Sequence, residues 1–361
     1  MIHTVEFRNF KALRHVKLEL ERFTVLVGPN ASGKTSILEG LFYLTRQGSV
    51  ATQSNCILHE NMYAVWTRGA KDPIELVLEA DEGECKAVAR PHDPLPVRSP
   101  SAPPTGVPGF EFDYFSRKPS FNQWTRVGGL PPIVAPAFLR LDAKQLASPS
   151  FSQEAKPRVA ADGQGLASAL AYLLLNRRTE FDRLLELFRL VCPYVVDIRF
   201  NRVNRVNRVI DPKNWGEELV LDLEGAPDIP GHMVSDGTLL ILGLLAVMMG
   251  PDHPKLILLD DLDHGLHPRA QRDLVALLRK LFEQDPALQI VATTHSPYLL
   301  DQLDPKEVRL TTRMEDGSVA CARLDEHPDF EKWKEAMTPG EFWSMVGEKW
   351  VGERQLEAAG S

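Results

Sequence analysis

The stretch GPNASGKTS, residues 28–36, decides how the rest of the sequence is interpreted. It fits the pattern of glycine, four residues, glycine, lysine, and then serine or threonine. An apolar run at 23–27 precedes it, and the helical pattern KTSILEGLFYLTRQG follows it. Strand, glycine loop and helix together predict a phosphate-binding loop, because the glycines let backbone amides close around an anion at the positive end of a helix.

Every residue of this loop is a candidate for nucleotide binding. The nine positions are Gly28, Pro29, Asn30, Ala31, Ser32, Gly33, Lys34, Thr35 and Ser36. We expect Lys34 to contact the β- and γ-phosphates and to act in catalysis, and we expect the hydroxyl of Thr35 to bind Mg²⁺. The loop therefore predicts a nucleoside triphosphate as the ligand and Mg²⁺ as the cofactor.

A second stretch, LILLDDLDHGLHP at residues 256–268, is an apolar run that ends in acidic residues. Open α/β sheets present ligand-binding groups at such strand ends. We expect Asp260 to hold Mg²⁺ through a water molecule and Asp261 to orient or deprotonate the attacking water. Aspartate is one methylene shorter than glutamate, and a misplacement of about 1 Å can cost on the order of a hundredfold in rate. Slow hydrolysis is expected unless the backbone moves the carboxylate forward.

Two other interpretations of these acids stay open. Asp261 and Asp263 could simply cap the turn before the following helix, since acidic residues favour helix starts. Alternatively, they form the Asp-x-Asp of a metal-dependent nuclease, with Glu224 upstream and His264 or His267 nearby. The nuclease interpretation leaves the glycine loop unexplained.

Two further motifs complete the set. MVSDGT starts an apolar helix, and its Ser235 and Gly237 combine a hydroxyl and an amide at a helix N-terminus, which suits a γ-phosphate. QIVATTHSP ends an apolar strand in His295, which we expect to contact the γ-phosphate and the attacking water. The position of Ser235, 25 residues before Asp260, favours a functional role over an ordinary helix cap.

The periodicity of the chain predicts a mixed α/β fold. Strands are expected at 4–8, 16–20 and 23–27, alternating strands in YAVWTRG, IELVLEA and CKAVAR, and buried strands at 256–260 and 288–292. RPHDPLPVRSPSAPPTGVPG has seven prolines and predicts an irregular surface segment. The chain should thus combine an antiparallel β region with a sheet that helices cover on both faces.

Composition and charge argue against several classes of protein. The chain has 361 residues, a net charge of -8 and four cysteines that are far apart in sequence. The negative charge argues against attraction of the whole surface to nucleic acid, and the cysteine spacing predicts free thiols rather than a zinc site. The longest apolar run, residues 239–249, is too short to span a bilayer. We expect a cytoplasmic protein without a membrane partner.

GPNASGKTS, VSDGT, GLHP and TTHSP occur here in the order found in ABC-type ATPase heads, and they resemble the OLD-like prokaryotic ATPases, relatives of RecF and of the chromosome-maintenance proteins. NFKAL and DGQGLASAL extend the resemblance over nearly the whole chain. It implies two heads that close over two ATP molecules, with Ser235 of one head completing the site of the other. Asp261 departs from the usual glutamate, and Asp263 stands where many OLD-like ATPases have a second one.

The resemblance also implies an architecture and a role. One head would span 1–361, with a nucleotide-binding core at 1–60 and 235–312, an antiparallel region at 61–140 with a proline-rich loop at 91–109, a helical lobe and basic segment at 141–234, and a tail at 313–361. Too few residues follow His295 for the nuclease domain that OLD proteins append. The head is therefore expected to regulate a separately encoded effector, a nuclease or toxin in defence against phage or plasmid DNA. A RecF-like repair clamp is the alternative.

Three assignments depend on less specific patterns. Gln145 is the candidate glutamine-loop residue and magnesium ligand, with Gln53 and Gln153 as competitors. In FNRVNRVNRVIDPKNW, arginines recur every third residue and are candidates for DNA contact, or for a solvated polar face; they are Arg202, Arg205 and Arg208. The tail TPGEFWSMVGEKWV predicts one capped helix whose aromatic residues either pack on the head or dock a partner.

Overall fold

The computed structural model describes residues 1–46, 72–92, 109–118, 123–127, 136–204 and 215–360. The chain divides into two compact units. Unit 1 contains Met1–Pro136, Asp304–Met337 and Phe342–Ser361. Unit 2 contains Ala137–Leu303 and Thr338–Glu341. The finer division into core, β region, lobe and tail stays a prediction.

The strands and helices of the described residues are numbered in chain order. The strands are β1 (Ile2–Phe10), β2 (Leu13–Glu19), β3 (Phe23–Val27), β4 (Ile74–Ala80), β5 (Gly83–His92), β6 (Gly109–Arg117), β7 (Thr125–Val127), β8 (Pro136–Leu139), β9 (Val195–Asn204), β10 (Trp215–Leu223), β11 (Ala226–Pro230), β12 (Leu256–Leu259), β13 (Gln289–Thr294), β14 (Val308–Arg313) and β15 (Val319–Arg323). The helices are α1 (Lys34–Arg46), α2 (Ala143–Ala147), α3 (Leu166–Asn176), α4 (Arg178–Val191), α5 (Asp236–Met249), α6 (Pro268–Gln284), α7 (Pro297–Leu300), α8 (Phe330–Trp333), α9 (Pro339–Val346) and α10 (Lys349–Gly360).

Unit 1 contains an antiparallel sheet with the strand order β2-β1-β4-β5-β6-β7. Buried and more exposed residues alternate along β4, as expected where one face packs against a core and the other faces solvent. This confirms the antiparallel region that the patterns IELVLEA and CKAVAR predict. YAVWTRG and most of the proline-rich segment lie outside the described residues.

The glycine loop of unit 1 follows a strand whose five residues are all buried, β3. β3 pairs in parallel with β14, in the register Val25 to Val308, and β14 pairs antiparallel with β15. α1 begins at Lys34, as predicted. The loop is therefore held between a buried strand and a helix.

In unit 2, β12 lies between β13 and β8 and runs parallel to β13. Every residue of β12 and β13 is buried, which confirms the prediction of strands covered on both faces. α5 is buried along most of its length, whereas α6 has one apolar and one polar face. The carboxyl ends of the two parallel strands carry Asp260 and His295, so these residues belong to the same edge.

The tail forms two helices, so the prediction of one is wrong. α9 ends at Val346 and α10 begins at Lys349, because Gly347 between them has a φ of 60°, which an α-helix cannot accommodate. The buried side chains of Phe342 and Trp350 both contact the His327 ring, at centroid distances of 5.2 and 5.0 Å. The aromatic residues of the tail therefore pack within unit 1.

Three of the four cysteines lie among the described residues, and all three are free thiols, as predicted. Burial raises the pKa of Cys85 to about 11 and also raises that of Cys192. No helix in the described part of the chain combines the length and apolar character needed to cross a bilayer.

Candidate functional site

The glycine loop has a backbone that excludes side chains at two positions. Gly28 and Gly33 have φ angles of 151° and 91°, and Ala31 between them also has a positive φ, 62°. A Cβ atom on Gly28 would lie 2.1 Å from the carbonyl oxygen of Thr311, and one on Gly33 would lie 2.7 Å from a methyl carbon of Val319. Both glycines are therefore required by the backbone conformation and by the close packing of neighbouring strands.

Lys34 directs its ammonium group into the loop. Its Nζ donates hydrogen bonds to the carbonyl oxygens of Gly28 and Pro29, both at 2.9 Å, and the residue is 7% exposed. Ser32, which is also buried, shares a hydrogen bond of 2.6 Å with the hydroxyl of Thr311. Lys34 thus places a buried cation inside the loop at the start of α1, where the helix N-terminus and backbone N–H groups favour an anion.

The remaining loop residues fall where the sequence predicts them. Thr35 and Ser36 form the first turn of α1 and are half-buried, while Asn30 at the tip of the loop is exposed. The hydroxyl of Thr35 thus belongs to a helix N-terminus that directly follows Lys34. This is the position expected of a magnesium ligand in a phosphate loop.

Asp260 lies directly after β12 and is 7% exposed. Its Oδ1 accepts a hydrogen bond of 2.9 Å from the Thr293 hydroxyl. Its Oδ2 accepts two from the Arg140 guanidinium, at 3.1 Å from Nε and 2.8 Å from Nη2. Arg140 belongs to no motif and was not predicted, whereas Thr293 is the first residue of TTHSP, a motif in which only His295 was assigned a role.

Asp261 has a left-handed backbone, with a φ of 61°, and its side chain is exposed. Its backbone N–H donates to the Thr293 hydroxyl at 2.8 Å, so Thr293 fixes both aspartates at once. Aspartate adopts this conformation several times more readily than most residues. The exposed carboxylate is available to a ligand from solvent.

Asp263 does not cap the next helix, so the capping interpretation is wrong for this residue. Its Oδ1 accepts hydrogen bonds from the Thr294 hydroxyl, at 2.6 Å, and from the backbone N–H of His295, at 3.3 Å. The cap of α6 is His267, whose Nδ1 accepts the N–H of Arg269. Asp263 therefore joins the turn after β12 to the end of β13, where the His295 side chain is exposed.

The residues of the nuclease interpretation do not form a metal-binding cluster. Among residues 1–46, 72–92, 109–118, 123–127, 136–204 and 215–360, no three His, Cys, Asp or Glu side chains are grouped so that they could hold a metal ion. Asp261 and Asp263 therefore do not gather with Glu224, His264 or His267.

Ser235 is the N-cap of α5 and belongs to a chain of hydroxyl groups. Its Oγ lies 2.6 Å from the Thr238 hydroxyl, which lies 2.7 Å from the Tyr194 hydroxyl. Burial raises the pKa of Tyr194, and its neutral phenol can share a hydrogen bond with Thr238 as donor or acceptor. A Cβ atom on Gly237 would lie 2.7 Å from the carbonyl oxygen of Gly265, so the start of α5 lies against the turn after β12.

Gln145 lies on α2, a short helix. Its backbone N–H donates to the Asp142 carboxylate, which caps this helix, and the residue is half-buried. Of its two competitors, Gln153 is exposed and Gln53 lies outside the described residues. Its role as a magnesium ligand stays a prediction.

Only one of the three arginines proposed to contact DNA lies in the described part of the chain. Arg202 is on β9, and its guanidinium carbon lies 5.0 Å from the centre of the Trp215 ring. Arg205 and Arg208 lie outside the described residues. Arg202 is on a strand, where a spacing of three alternates faces.

Two known domain families match separate parts of the chain. The family described as "AAA ATPase domain" matches residues 1–86, which contain the glycine loop. The family described as "AAA domain, putative AbiEii toxin, Type IV TA system" matches residues 199–301, which contain Ser235, Asp260 and His295. The two parts of the chain that carry the motifs are therefore similar to AAA ATPase domains.

Solved structures share the fold of this chain. The chain is similar to an SMC head bound to the C-winged helix domain of ScpA, with a TM-score of 0.55 and 16% identity, covering 90% of this chain and 98% of that one. It is also similar to an SMC head with an extended coiled coil bound to the C-terminal domain of ScpA derived from Pyrococcus furiosus, with a TM-score of 0.54 and 14% identity, covering 92% of this chain and 99% of that one. The predicted fold class, an ABC-type ATPase head, is confirmed.

Among curated proteins, the chain is similar to the Septu protein PtuA of Bacillus mycoides strain KBAB4. The two are 23% identical over 349 residues, which cover 87% of this chain and 41% of PtuA. PtuA of Bacillus thuringiensis is 36% identical over 73 residues, which cover 20% of this chain and 18% of that protein. The chain thus spans about two fifths of the length of the first relative, and the closer resemblance to OLD-like and RecF-like ATPases stays a prediction.

Proposed function

We propose that this protein binds and hydrolyses ATP, that ATP joins two copies of it, and that the ATP-bound pair regulates a separately encoded effector. The observation that carries the proposal is the loop of residues 28–36. There the Lys34 ammonium is buried among carbonyls, and Gly28 and Gly33 leave room for no side chain. A loop of this shape suits the phosphate groups of a nucleotide.

The residues present fit ATP together with Mg²⁺. Thr35 and Asp260 supply hydroxyl and carboxylate oxygens, the ligands that Mg²⁺ prefers. We assign them to the metal, Thr35 directly and Asp260 through a water molecule, with Gln145 as a further ligand. Mg²⁺ neutralises charge on the phosphates when it is bound. Lys34 and the backbone amides of the loop are assigned to the phosphate oxygens.

We assign hydrolysis to Asp261 and His295. An exposed carboxylate at a strand end can orient or deprotonate a water molecule, and an exposed histidine at the neighbouring strand end can contact the γ-phosphate. The contacts of Thr293 with Asp261 and of Asp263 with the backbone of His295 support this assignment, because they hold both residues in place.

We assign Ser235 and Gly237 to the γ-phosphate of ATP held by a second copy of the chain. Support comes from the exposed position of Ser235 at the start of α5 and from the Thr238 hydroxyl beside it. If Tyr194 donates to Thr238 and Thr238 donates to Ser235, the proton of Ser235 is left for an anion. The helix N-terminus adds its own attraction for negative charge.

The effector part of the proposal depends on the relatives. Similarity to PtuA and the resemblance to OLD-like ATPases support a role in defence against phage or plasmid DNA, with a nuclease or toxin as the effector. SMC heads solved with parts of ScpA offer an example of a head that binds another protein. Direct contact with DNA through Arg202, Arg205 and Arg208 is a further part of the proposal, and the cytoplasm is its expected location.

The test is ATP hydrolysis by purified protein in the presence of Mg²⁺. We expect the Lys34→Ala variant to lose phosphate release and ATP binding, because no other side chain replaces its charge in the loop. Lys255→Ala is the matched control, since Lys255 pairs with Asp285 and belongs to neither motif. Equal hydrolysis by wild type and Lys34→Ala would contradict the proposal.

Assays with DNA distinguish the proposed function from its alternatives. DNA cleavage that persists in Lys34→Ala would favour a nuclease. Stimulation of ATP turnover by DNA without any partner would favour a RecF-like clamp, whereas dependence on the product of a neighbouring gene would favour the effector switch.

A further inference from the structure

Arg140 forms an ion pair with Asp260 that no motif predicts. The two side chains differ in exposure to solvent: that of Asp260 is 6% exposed, whereas that of Arg140 is 62% exposed. Two N–H groups of the guanidinium converge on one carboxylate oxygen, Oδ2. A buried carboxylate is thus neutralised by a cation that stands mostly in solvent.

The hydrogen bonds to the Asp260 carboxylate use most of the lone pairs of its two oxygens. Each carboxylate oxygen has two lone pairs. Arg140 donates twice to Oδ2, and Thr293 donates once to Oδ1. A metal-bound water at Asp260 therefore approaches a carboxylate whose charge Arg140 already offsets.

The backbone beside Arg140 is fixed, while its side chain extends into solvent. The N–H of Arg140 donates to the Ala161 carbonyl at 2.8 Å, and the N–H of Asp260 donates to the Leu139 carbonyl at 2.9 Å. The backbones of Arg140 and Asp260 are therefore held close together, while the Arg140 side chain is mostly exposed.

We propose that Arg140 is a resident counter-cation of Asp260 that opposes the binding of Mg²⁺ and so sets the Mg²⁺ concentration at which ATP is bound. The proposal rests on the proposed function, in which Asp260 is a magnesium ligand. The Arg140 charge stabilises the Asp260 carboxylate without metal and repels a divalent cation near it. Arg140 is thus a positioning residue whose effect is on metal affinity.

The test is the thermal unfolding temperature measured with a fixed concentration of a non-hydrolysable ATP analogue and increasing Mg²⁺. For Arg140→Gln we expect the midpoint Mg²⁺ concentration to fall about tenfold, because the competing charge is gone. In EDTA, the same variant should unfold at a lower temperature than wild type, because the buried Asp260 carboxylate has lost the charge of Arg140. Saturating Mg²⁺ and analogue should close that gap.

Arg158→Gln is the matched control. Arg158 is also in unit 2, its side chain is also 62% exposed, and it pairs with Asp252 rather than with a motif residue. We expect its Mg²⁺ midpoint to equal that of wild type. Arg140→Lys keeps the charge but loses the paired N–H groups, and it should give a midpoint between those of wild type and Arg140→Gln.

The outcomes separate this inference from the proposed function. If wild type responds to Mg²⁺ and analogue but Arg140→Gln needs as much Mg²⁺ or more, Arg140 does not oppose the metal and the inference is wrong. If Arg140→Gln does not fold, an Arg140→Lys midpoint at or above that of wild type overturns it equally. If wild type does not respond at all, both the inference and the proposed function fail.

Discussion

Asp261 stands where related heads are expected to carry glutamate, and its backbone offers a reason. Its φ of 61° places it in the left-handed region, which costs most L-residues roughly 1–2 kcal/mol. Aspartate and asparagine lower that cost because their short polar side chains can bond locally. Glutamate lacks this advantage. The shorter acid therefore suits the turn, which Thr293 fixes through the N–H of Asp261.

Substitutions at Asp261 should separate its backbone role from its chemistry. We expect Asp261→Asn to keep the stability of wild type but to lose ATP turnover by on the order of a hundredfold or more, because the general base is gone. Asp261→Glu should lower the free energy of unfolding by about 1 kcal/mol. Urea unfolding and phosphate release measure the two effects.

Asp228 provides the control for this prediction, since its φ is 60° and it belongs to no motif. Asp228→Glu should lower stability but leave ATP turnover unchanged. Full turnover in Asp261→Asn would remove Asp261 from the reaction.

Gly33 and Gly225 both have a positive φ, so comparing them separates the cost of backbone strain from the cost of a steric clash with an added Cβ atom. Gly33 has a φ of 91° and Gly225 a φ of 72°, but only at Gly33 would a Cβ meet another residue, Val319, at 2.7 Å. We expect Gly225→Ala to lower stability by roughly 1 kcal/mol. Gly33→Ala should lower it more and should also abolish ATP binding, because the loop must open to admit the methyl group. Unfolding with and without ATP measures both, and equal effects at the two positions would contradict the crowding argument.

Several elements were predictable because their signals are local. Runs of apolar residues identified β12 and β13, and the glycine pattern identified the turn before α1. In contrast, Arg140 and Asp260 are 120 residues apart, and Ser32 and Thr311 are 279 apart. No local pattern encodes such pairs, because their contact arises only when distant strands meet.

In the tail, a single glycine interrupts a helix that the periodicity of the sequence predicts. Helical periodicity predicted a single helix, and the burial of Phe342 and Trp350 agrees with that periodicity. Gly347 nevertheless ends α9, because its positive φ turns the chain. The sequence alone did not show whether this glycine would be tolerated inside a helix or would break it.

The tail helices should make stability depend on pH through His327. Burial lowers the pKa of His327, and its Nδ1 accepts the N–H of Asp329, which only the neutral ring can do. The unfolded chain therefore takes up a proton at higher pH than the folded one. The stabilisation is complete above the usual histidine pKa of about 6.5 and is lost as the pH falls below it.

Comparison of wild type with His327→Gln tests this expectation. The free energy of unfolding of wild type should fall more steeply between pH 7.5 and pH 5.5 than that of the variant. Parallel pH profiles would show that His327 does not contribute.

At the scale of the whole molecule, the proposed pairing of two copies has a direct test. We expect Asp261→Asn with ATP and Mg²⁺ to double its mass in light scattering, because ATP stays bound between the copies. Adding Ser235→Glu should return the protein to a monomer, since a carboxylate would face the γ-phosphate of the partner. ATP affinity of the phosphate loop should be unchanged in the double variant. A dimer that forms equally well with Ser235→Glu would exclude Ser235 from the interface.

The pairing of β3 with β14 also sets an order of events during synthesis. Val25 pairs with Val308 across these strands, and the phosphate loop packs against Thr311. Almost all of unit 2 is therefore translated before the strand that supports the loop. Domains tend to fold as they emerge, and contacts this distant in sequence form late. A nascent chain shorter than about 310 residues thus lacks the support of its phosphate loop, which delays ATP binding until translation is nearly complete.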